Sequence, residues 1–480
     1  MDIRNKKLTE DEFFQERREV LAQWPTGKDV DLDEAIAFHK NLPPHKNWVN
    51  KMRYAREHGE TYAITGMGKA TVEEQIELLT YVEKDGLADI LGTSVDSYSR
   101  QNDYAAAQKG LDESVKRGRS TLNGLPLVNH GVAGFRKVVA AINSPVSMRY
   151  GAADPRLIDE IGFAGGHTAG AVDALMDFWH HNAKVSLETS IVTHRYTQRL
   201  LGYYEEHGVS LCASCQGLYG AAISPSIQMA AIIVQVLMMA EQGVKNIRLH
   251  FAAHGNLAQD VSTAHVLQKL AKEYLKKHGY SGIDIFLSVS FSLVQYPLEV
   301  GSAFAVVFMN TLMAKLCGAQ ANDIRTVAEA KGIPTKEDTA YSFRTAKAME
   351  NFLQTQKIEV DKKALEIETD MAEQEVRCIV DKVLELGNDD VVVGTIVAIK
   401  SGVLDNPFAT NVASPCKVMS IKDGEGAIRY LNAGNLPFTG NILAFHKAKI
   451  AEREKIRGKK LDYETLVSDL FAVSKGVLVE

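Results

Sequence analysis

The sequence predicts an α/β protein whose central part is a (β/α)8 barrel, flanked by an N-terminal helical extension and a C-terminal α+β subdomain. Three observations lead there. The chain has 480 residues, room for one barrel of about 250 residues with substantial additions. From residue 61 to 345, short apolar runs alternate with longer amphipathic stretches and no long polar linker intervenes, the signature of parallel βα units wound right-handedly. Before residue 60 and after residue 345 that alternation stops, giving the divisions 1–60, 61–345 and 346–480. An open doubly wound sheet fits the same alternation, so periodicity alone leaves both architectures standing.

The first sixty residues read as helical. Thr9 and Glu12 stand at capping-box spacing ahead of Phe13, Phe14, Val20 and Leu21. Trp24-Pro25-Thr26-Gly27 ends that helix, and Asp31 or Asp33 can cap a second one through Phe38. Candidate strands follow at Thr61–Thr65, Ala88–Gly92, Leu125–Asn129, Pro145–Arg149, Val209–Ala213, Asn246–Phe251, Ile283–Val289 and Asp323–Thr326. Gly165-Gly166-His167-Thr168 offers a ninth, poorly apolar one. Between them, helical patterns run over Val72–Lys84, Asp154–Phe163, Ser226–Gln242, Leu257–His278 and Ala303–Cys317. Beyond residue 345 come a charged helix over Lys362–Leu386, a hairpin around Asp423-Gly424 and a very charged helix near Lys447–Lys459.

Composition excludes several function classes. Apolar residues make up 45% and charged residues 24% of the chain, which is ordinary for a folded globular protein. The 54 basic and 60 acidic residues are dispersed and sum to -6, so there is no basic stripe to neutralise a nucleic-acid backbone. The charged N-terminus is unlike a signal peptide, and the most apolar stretch, Ile227–Ala240, is broken by Gln228 and Gln235. A membrane span needs about 18 or more apolar residues. The expected location is cytoplasmic. Five cysteines are too few and too odd in number for a disulfide framework, and Cys212 and Cys215 read as buried thiols near a strand end.

In a barrel of this type the chemistry sits at the C-terminal ends of the strands. Arg149 ends the run Pro145–Met148, and Arg100 follows the second candidate strand in the loop Ser97–Asn102. Two such guanidiniums could clamp a carboxylate or phosphate through paired in-plane hydrogen bonds, which lysine cannot reproduce. Arginines in such loops are also often simply solvated or paired with a local acid. His180-His181 and the pair His250 and His254 lack acidic companions at metal-motif spacing. No phosphate loop, dinucleotide fingerprint or nucleophile elbow is present. A Schiff-base enzyme would need a desolvated lysine at a strand end, and the candidates Lys69 and Lys336 end no clear apolar strand. What remains fits chemistry carried by a cofactor.

Several stretches resemble the large subunit of glutamate mutase, in that family's order and over nearly the whole chain. They are Gln23-Trp24-Pro25-Thr26-Gly27-Lys28, Ser99-Arg100-Gln101-Asn102, Leu122-Asn123-Gly124, Tyr203-Tyr204-Glu205-Glu206, Ala240 to Asn246, Gly332 to Glu337, Gly434 to Phe438 and Asp469 to Val473. The resemblance implies a barrel that binds a dicarboxylic amino acid and caps adenosylcobalamin carried by a separate small subunit. The Asp-x-His-x-x-Gly motif of such small subunits is absent from this sequence, so a partner is implied, with a homodimer of large subunits. Arg100 and Arg149 match two of the three arginines that grip substrate carboxylates, and the third position is Gly66. Gly68, Asn123 and Glu329 match cofactor-contacting positions, and Arg325 stands where the family has a lysine. On the substrate side Ala171 replaces a glutamate that holds the amino group, Asp177 and His181 replace two tyrosines, and His180 and Gln216 replace a proline and a phenylalanine. The resemblance implies an isomerase, and these departures point to a substrate-binding set of Arg100, Arg149, Asp177 and His181 acting on a related acid that keeps one carboxylate and not on glutamate. Equally, Asp177 and His181 could simply face solvent or a helix. The alternative is a degenerate homologue that docks a cobalamin module without catalysis.

Overall fold

The computed structural model describes residues 3–217 and 222–480. Nine parallel strands surround the axis: β1 (Tyr62–Ile64), β2 (Gly66–Met67), β3 (Leu91–Ser94), β4 (Val146–Arg149), β5 (Ala169–Ala171), β6 (Cys212–Gln216), β7 (Asn246–Ala253), β8 (Asp284–Phe291) and β9 (Ala321–Asp323). Their order is β1-β9-β8-β7-β6-β5-β4-β3-β2. Because β1 and β2 are separated only by Thr65, with β1 paired to β9 and β2 to β3, they are two halves of one stave. The sheet thus closes on itself as an eight-stave barrel, and the open-sheet alternative falls away.

Leu125–Asn129 is not a strand. Leu125 makes one bridge to Val95, and Leu127–Ala141 is a helix whose Leu127, Val128, Val132, Phe135, Val138 and Val139 are buried. The helical spacing of those residues, entered after Pro126, outweighs the local apolar run. The missing stave is supplied next to the poorly apolar segment: Gly166 turns the chain at φ +110° and β5 begins at Ala169. Three other strands start or end a few residues from their apolar runs, because Gly92, Thr93, Ser94, Ser214 and Gln216 are strand residues that carry no apolar signal.

The helix Trp48–His58 closes the N-terminal end of the barrel. Its Trp48, Val49, Met52 and Ala55 pack with Tyr62, Ile64, Ile90, Ala169, Cys212, Phe286 and Ala321. The capping box at Thr9 and Glu12 forms as the spacing predicts, and Asp31 caps Leu32–Asn41. The division at 345 falls inside the helix Lys336–Leu353. Helix Lys362–Leu386 buries Val376, Ile379, Val380 and Val383 in the same apolar core as the barrel helices. The hairpin of β10 (Met419–Lys422) and β11 (Ile428–Asn432) is tied down by Arg429, whose Nη1 donates to Glu368 at 2.9 Å and Nε to Asp423 at 2.7 Å. Cys212 and Cys215 are buried in β6, and burial pushes both thiols up. No helix is long and apolar enough to cross a membrane among the described residues.

Candidate active site

Strand β4 delivers Arg149 to the C-terminal mouth, opposite Ser94 of β3. Its guanidinium meets Asp323 at the end of β9. Arg248 of β7 reaches the other Asp323 oxygen at 3.4 Å while its Nε donates to Ser214 at 2.7 Å. Ser288 donates to the same carboxylate at 2.5 Å. Burial would raise the Asp323 carboxyl, but the Arg248 and Arg149 guanidiniums outweigh it and hold it well below the usual carboxylate range. A cavity of about 260 Å3 lies here, walled by Gly66, Arg149, His250, Asp323, Arg325 and Glu329 among others. His250 is fully buried, and desolvation pushes its imidazole down to about 3, so it is neutral. Gly66 keeps the cavity open beside Arg149: a Cβ there would stand 2.5 Å from Ser94 Oγ and 3.5 Å from Arg149 Nε. Arg325 and Glu329 pair at 2.8 Å on the rim, 55% and 35% exposed.

Arg100 ends the short helix Ser97–Arg100, which Asp96 caps through Oδ1 to the amides of Tyr98 and Ser99 at 2.9 and 3.1 Å. Asn123 Oδ1 accepts from the Ser97 amide at 3.0 Å, and Gly68 packs against Gly124. Both therefore support the segment that carries Arg100. The Arg100 side chain is half-buried and its Nε is enclosed without a partner. Among the described residues none forms an ion pair with it.

The opposite side of the mouth is built differently. Residues Asp177–His181 form a π-helical turn, a distortion that recurs at functional sites because it re-aims side chains. Asp177 is buried and fully engaged: Oδ1 accepts from His181 Nδ1 at 2.7 Å, and Oδ2 accepts from His194 Nε2 at 3.0 Å and from the Ala152 amide at 3.2 Å. The other His194 nitrogen faces the Ser190 carbonyl at 2.8 Å. Two acceptors require both ring nitrogens to carry protons, so His194 is an imidazolium. Desolvation opposes that charge, but the Asp177 hydrogen bond prevails and raises the His194 pKa. In the same way burial would raise Asp177, and its two histidines hold it low. Nearby, Asp173 accepts from the Gln216 amide at 2.6 Å and Nε2 at 3.0 Å, with burial pushing its carboxyl up to about 7. Ala171 ends β5, its carbonyl accepting from Tyr150 at 3.0 Å.

The loop after β4 joins the substrate-side residues. Arg149 opens it, the His181 ring lies where a Cβ on Gly151 would be, Asp177 holds the Ala152 amide, and the Ala153 amide meets the Arg100 carbonyl at 3.4 Å. Arg149 also walls the cavity that Arg325 and Glu329 share, whereas Arg100 and His181 stand on the loop and do not line it. The C-terminal region braces this side as well. Asn411 Nδ2 bonds the carbonyls of Asn182 and Val185 at 2.7 and 2.8 Å, and Asn406 meets His180 at 3.0 Å.

Sequence reasoning missed Asp323, Arg248 and His194. The first two had a signal: Arg248 and His250 alternate with Ile247, Leu249 and Phe251, so β7 carries a polar inner face. Asp323 was placed at a strand start when it is a strand end. His194 lies in the buried helix Leu187–Glu206 and has no local signal. Lys336 is not desolvated but pairs with Glu77 at 2.5 Å. Among the described residues no group of three or more His, Cys, Asp or Glu side chains is placed to hold a metal ion.

Comparison with known proteins gives the family. The Methylaspartate mutase E chain family matches residues 42–480. The glutamate mutase epsilon subunit of Treponema denticola is 40% identical over 480 residues, covering 100% of this chain and 99% of that one. That of Desulfitobacterium hafniense is 39% identical, with 100% and 99% covered, and that of Haloarcula marismortui is 31% identical, with 99% and 96% covered. The chain belongs to the methylaspartate mutase E chain family, a family of isomerase subunits.

Proposed function

We propose that this chain is the substrate-binding large subunit of an adenosylcobalamin-dependent carbon-skeleton mutase whose substrate is a carboxylic acid related to glutamate but not glutamate itself. The observation that carries the reading is Arg100, a half-buried guanidinium for which no ion-pair partner is found among the described residues, and whose carbonyl is bonded by the loop that Arg149 opens. An enclosed cation of this kind is completed by an anionic ligand, and arginine matches a carboxylate bidentately. Glutamate is disfavoured because Gly66 and Ala171 provide neither a third guanidinium nor an acceptor for an ammonium group. Leaving one carboxylate under-neutralised in a dry pocket costs on the order of 2 to 5 kcal/mol.

The mouth suits a large planar cofactor delivered by a second polypeptide. Its rim carries the half-exposed Arg325–Glu329 pair, Gly68 and Asn123, together with the exposed apolar residues Tyr98, Leu298 and Ile333 on loops after β3, β8 and β9. When bound, adenosylcobalamin supplies a carbon radical by homolysis of its cobalt–carbon bond. The task of this chain is to grip the acid with Arg100 and Arg149, to present His181 to it with Asp177 behind, and to exclude water and stray hydrogen donors. Two large subunits and two small cobalamin-binding subunits complete the assembly.

The test combines the chain with a small subunit bearing Asp-x-His-x-x-Gly, adenosylcobalamin and candidate acids. A cobalt(II)-coupled radical in the electron spin resonance spectrum, dependent on the acid and lost in Arg100→Ala, is expected. Conversion of glutamate to 3-methylaspartate at an ordinary rate would overturn the substrate assignment. A spectrum silent with every acid would favour a docking protein without catalysis, the reading that Gly66 and Ala171 support.

A further inference from the structure

Four carboxylates at the mouth are committed to the protein. Asp177 is held by two histidines and an amide, Asp323 by Arg149, Arg248 and Ser288, Glu329 by Arg325, and Asp173 by Gln216. Asp96 caps the Arg100 helix through Oδ1, while its Oδ2 is buried without a hydrogen-bond partner. An ammonium group beside the π-helical turn would add to the charges of Arg100, Arg149 and the His194 imidazolium, and Asp177, the carboxylate there, is already held by three donors.

His181 offers something else. Its Nδ1 faces the Asp177 carboxylate and so carries a hydrogen. In the neutral ring that leaves Nε2 as a bare acceptor, and no described residue bonds to it. The side chain is 32% exposed, and Asp177 is itself fixed from behind by the buried His194. The imidazole is thus locked in one tautomer and one orientation beside the loop that Arg149 opens and the Arg100 carbonyl braces, a carboxylate–histidine arrangement with its outer nitrogen open.

Resting on the mutase reading, we propose that the substrate is a hydroxy acid, carrying a hydroxyl where an amino acid carries its ammonium group, and that His181 Nε2 accepts the hydrogen bond of that hydroxyl. His181 is then a specificity-determining residue, and Asp177 and His194 are positioning residues behind it. An uncharged hydroxyl supplies the donor that Nε2 requires without adding a further cation to the site.

Three acids of one carbon skeleton separate the possibilities: 2-hydroxyglutarate, glutarate and glutamate, titrated calorimetrically into the assembled large and small subunits. The expected result is 2-hydroxyglutarate binding roughly tenfold tighter than glutarate, the yield of one good hydrogen bond, and glutamate weakest of the three. His181→Ala should bring 2-hydroxyglutarate and glutarate to equal affinity, with an unchanged circular dichroism spectrum showing that the variant is folded. Asp177→Asn, which frees the ring from its tautomer, should lose most of the same preference. Glutamate binding as tightly as 2-hydroxyglutarate, a hydroxy acid no better than glutarate, or a preference that survives in His181→Ala would overturn the inference. A His181-dependent preference without any cobalt(II) radical would instead sink the mutase reading and leave this one standing.

Discussion

The two sides of the barrel mouth solve the burial of charge in different ways. Around the cavity, Asp323 is neutralised by two guanidiniums, Arg149 and Arg248, and the histidine beside them, His250, is neutral. Around the π-helical turn, Asp177 is neutralised by a histidine that has taken up a proton, and the nearest carboxylate, Asp173, is pushed up to about 7 by burial. Arginine holds its charge at any accessible pH, whereas a histidine pair exists only within a pH window. The Asp323 side thus keeps its counter-charges at any accessible pH. The Asp177 side is titratable.

Removing either buried carboxylate should give the largest effects on stability. Asp323→Asn leaves two arginines facing each other, and Asp177→Asn strips the buried His194 of its counter-charge; each should cost about 3 to 5 kcal/mol in urea unfolding. The comparison predicts a difference in kind. His194 can shed its proton and recover part of the loss, so Asp177→Asn should regain stability at alkaline pH while Asp323→Asn should not. Equal losses at all pH values would mean that His194 carries no charge.

The two buried histidines sharpen the contrast through opposite signs. The folded pKa of His194 is raised, so its contribution is fully present below the ordinary histidine value near 6.5 and disappears as pH rises through the folded value. His250 is depressed to about 3, so between roughly pH 6.5 and that value the unfolded chain binds the extra proton and stability falls as pH falls. His194→Gln should therefore destabilise more at pH 6 than at pH 9. His250→Asn should reduce the acid-side slope of stability against pH by up to about 1.4 kcal/mol per unit, one proton's worth. A common sign for both variants would show that the two sides do not differ in protonation.

Much of the barrel was legible because its helices carry strong periodicity. Leu257–Lys277 and Lys362–Leu386 lie within a residue of where spacing puts them. The strands were harder, since the polar Thr93, Ser94 and Ser214 end an apolar run before the stave itself ends. Of the site, Arg100 and Arg149 were visible as charges just past apolar runs. The Asp177 and His181 pairing was only implicit in their four-residue spacing, which a π-turn keeps on one side. The third member, His194, sits thirteen residues beyond His181 on another helix, and only tertiary packing brings it to Asp177.

The smallest effect belongs to the rim. Arg325 and Glu329 form the same kind of ion pair as Arg149 and Asp323, but at 55% and 35% exposure water already solvates both groups. Such pairs contribute between zero and about 1 kcal/mol, so Glu329→Gln should shift the unfolding free energy by no more than about 0.5 kcal/mol. If these residues serve the cofactor, the same substitution should weaken capture of the cobalamin-loaded small subunit, read by ultracentrifugation, while stability stays put. A large stability loss with unchanged capture would make the pair structural, and the distinction between a rim for binding and an interior for holding charge would fail at that point.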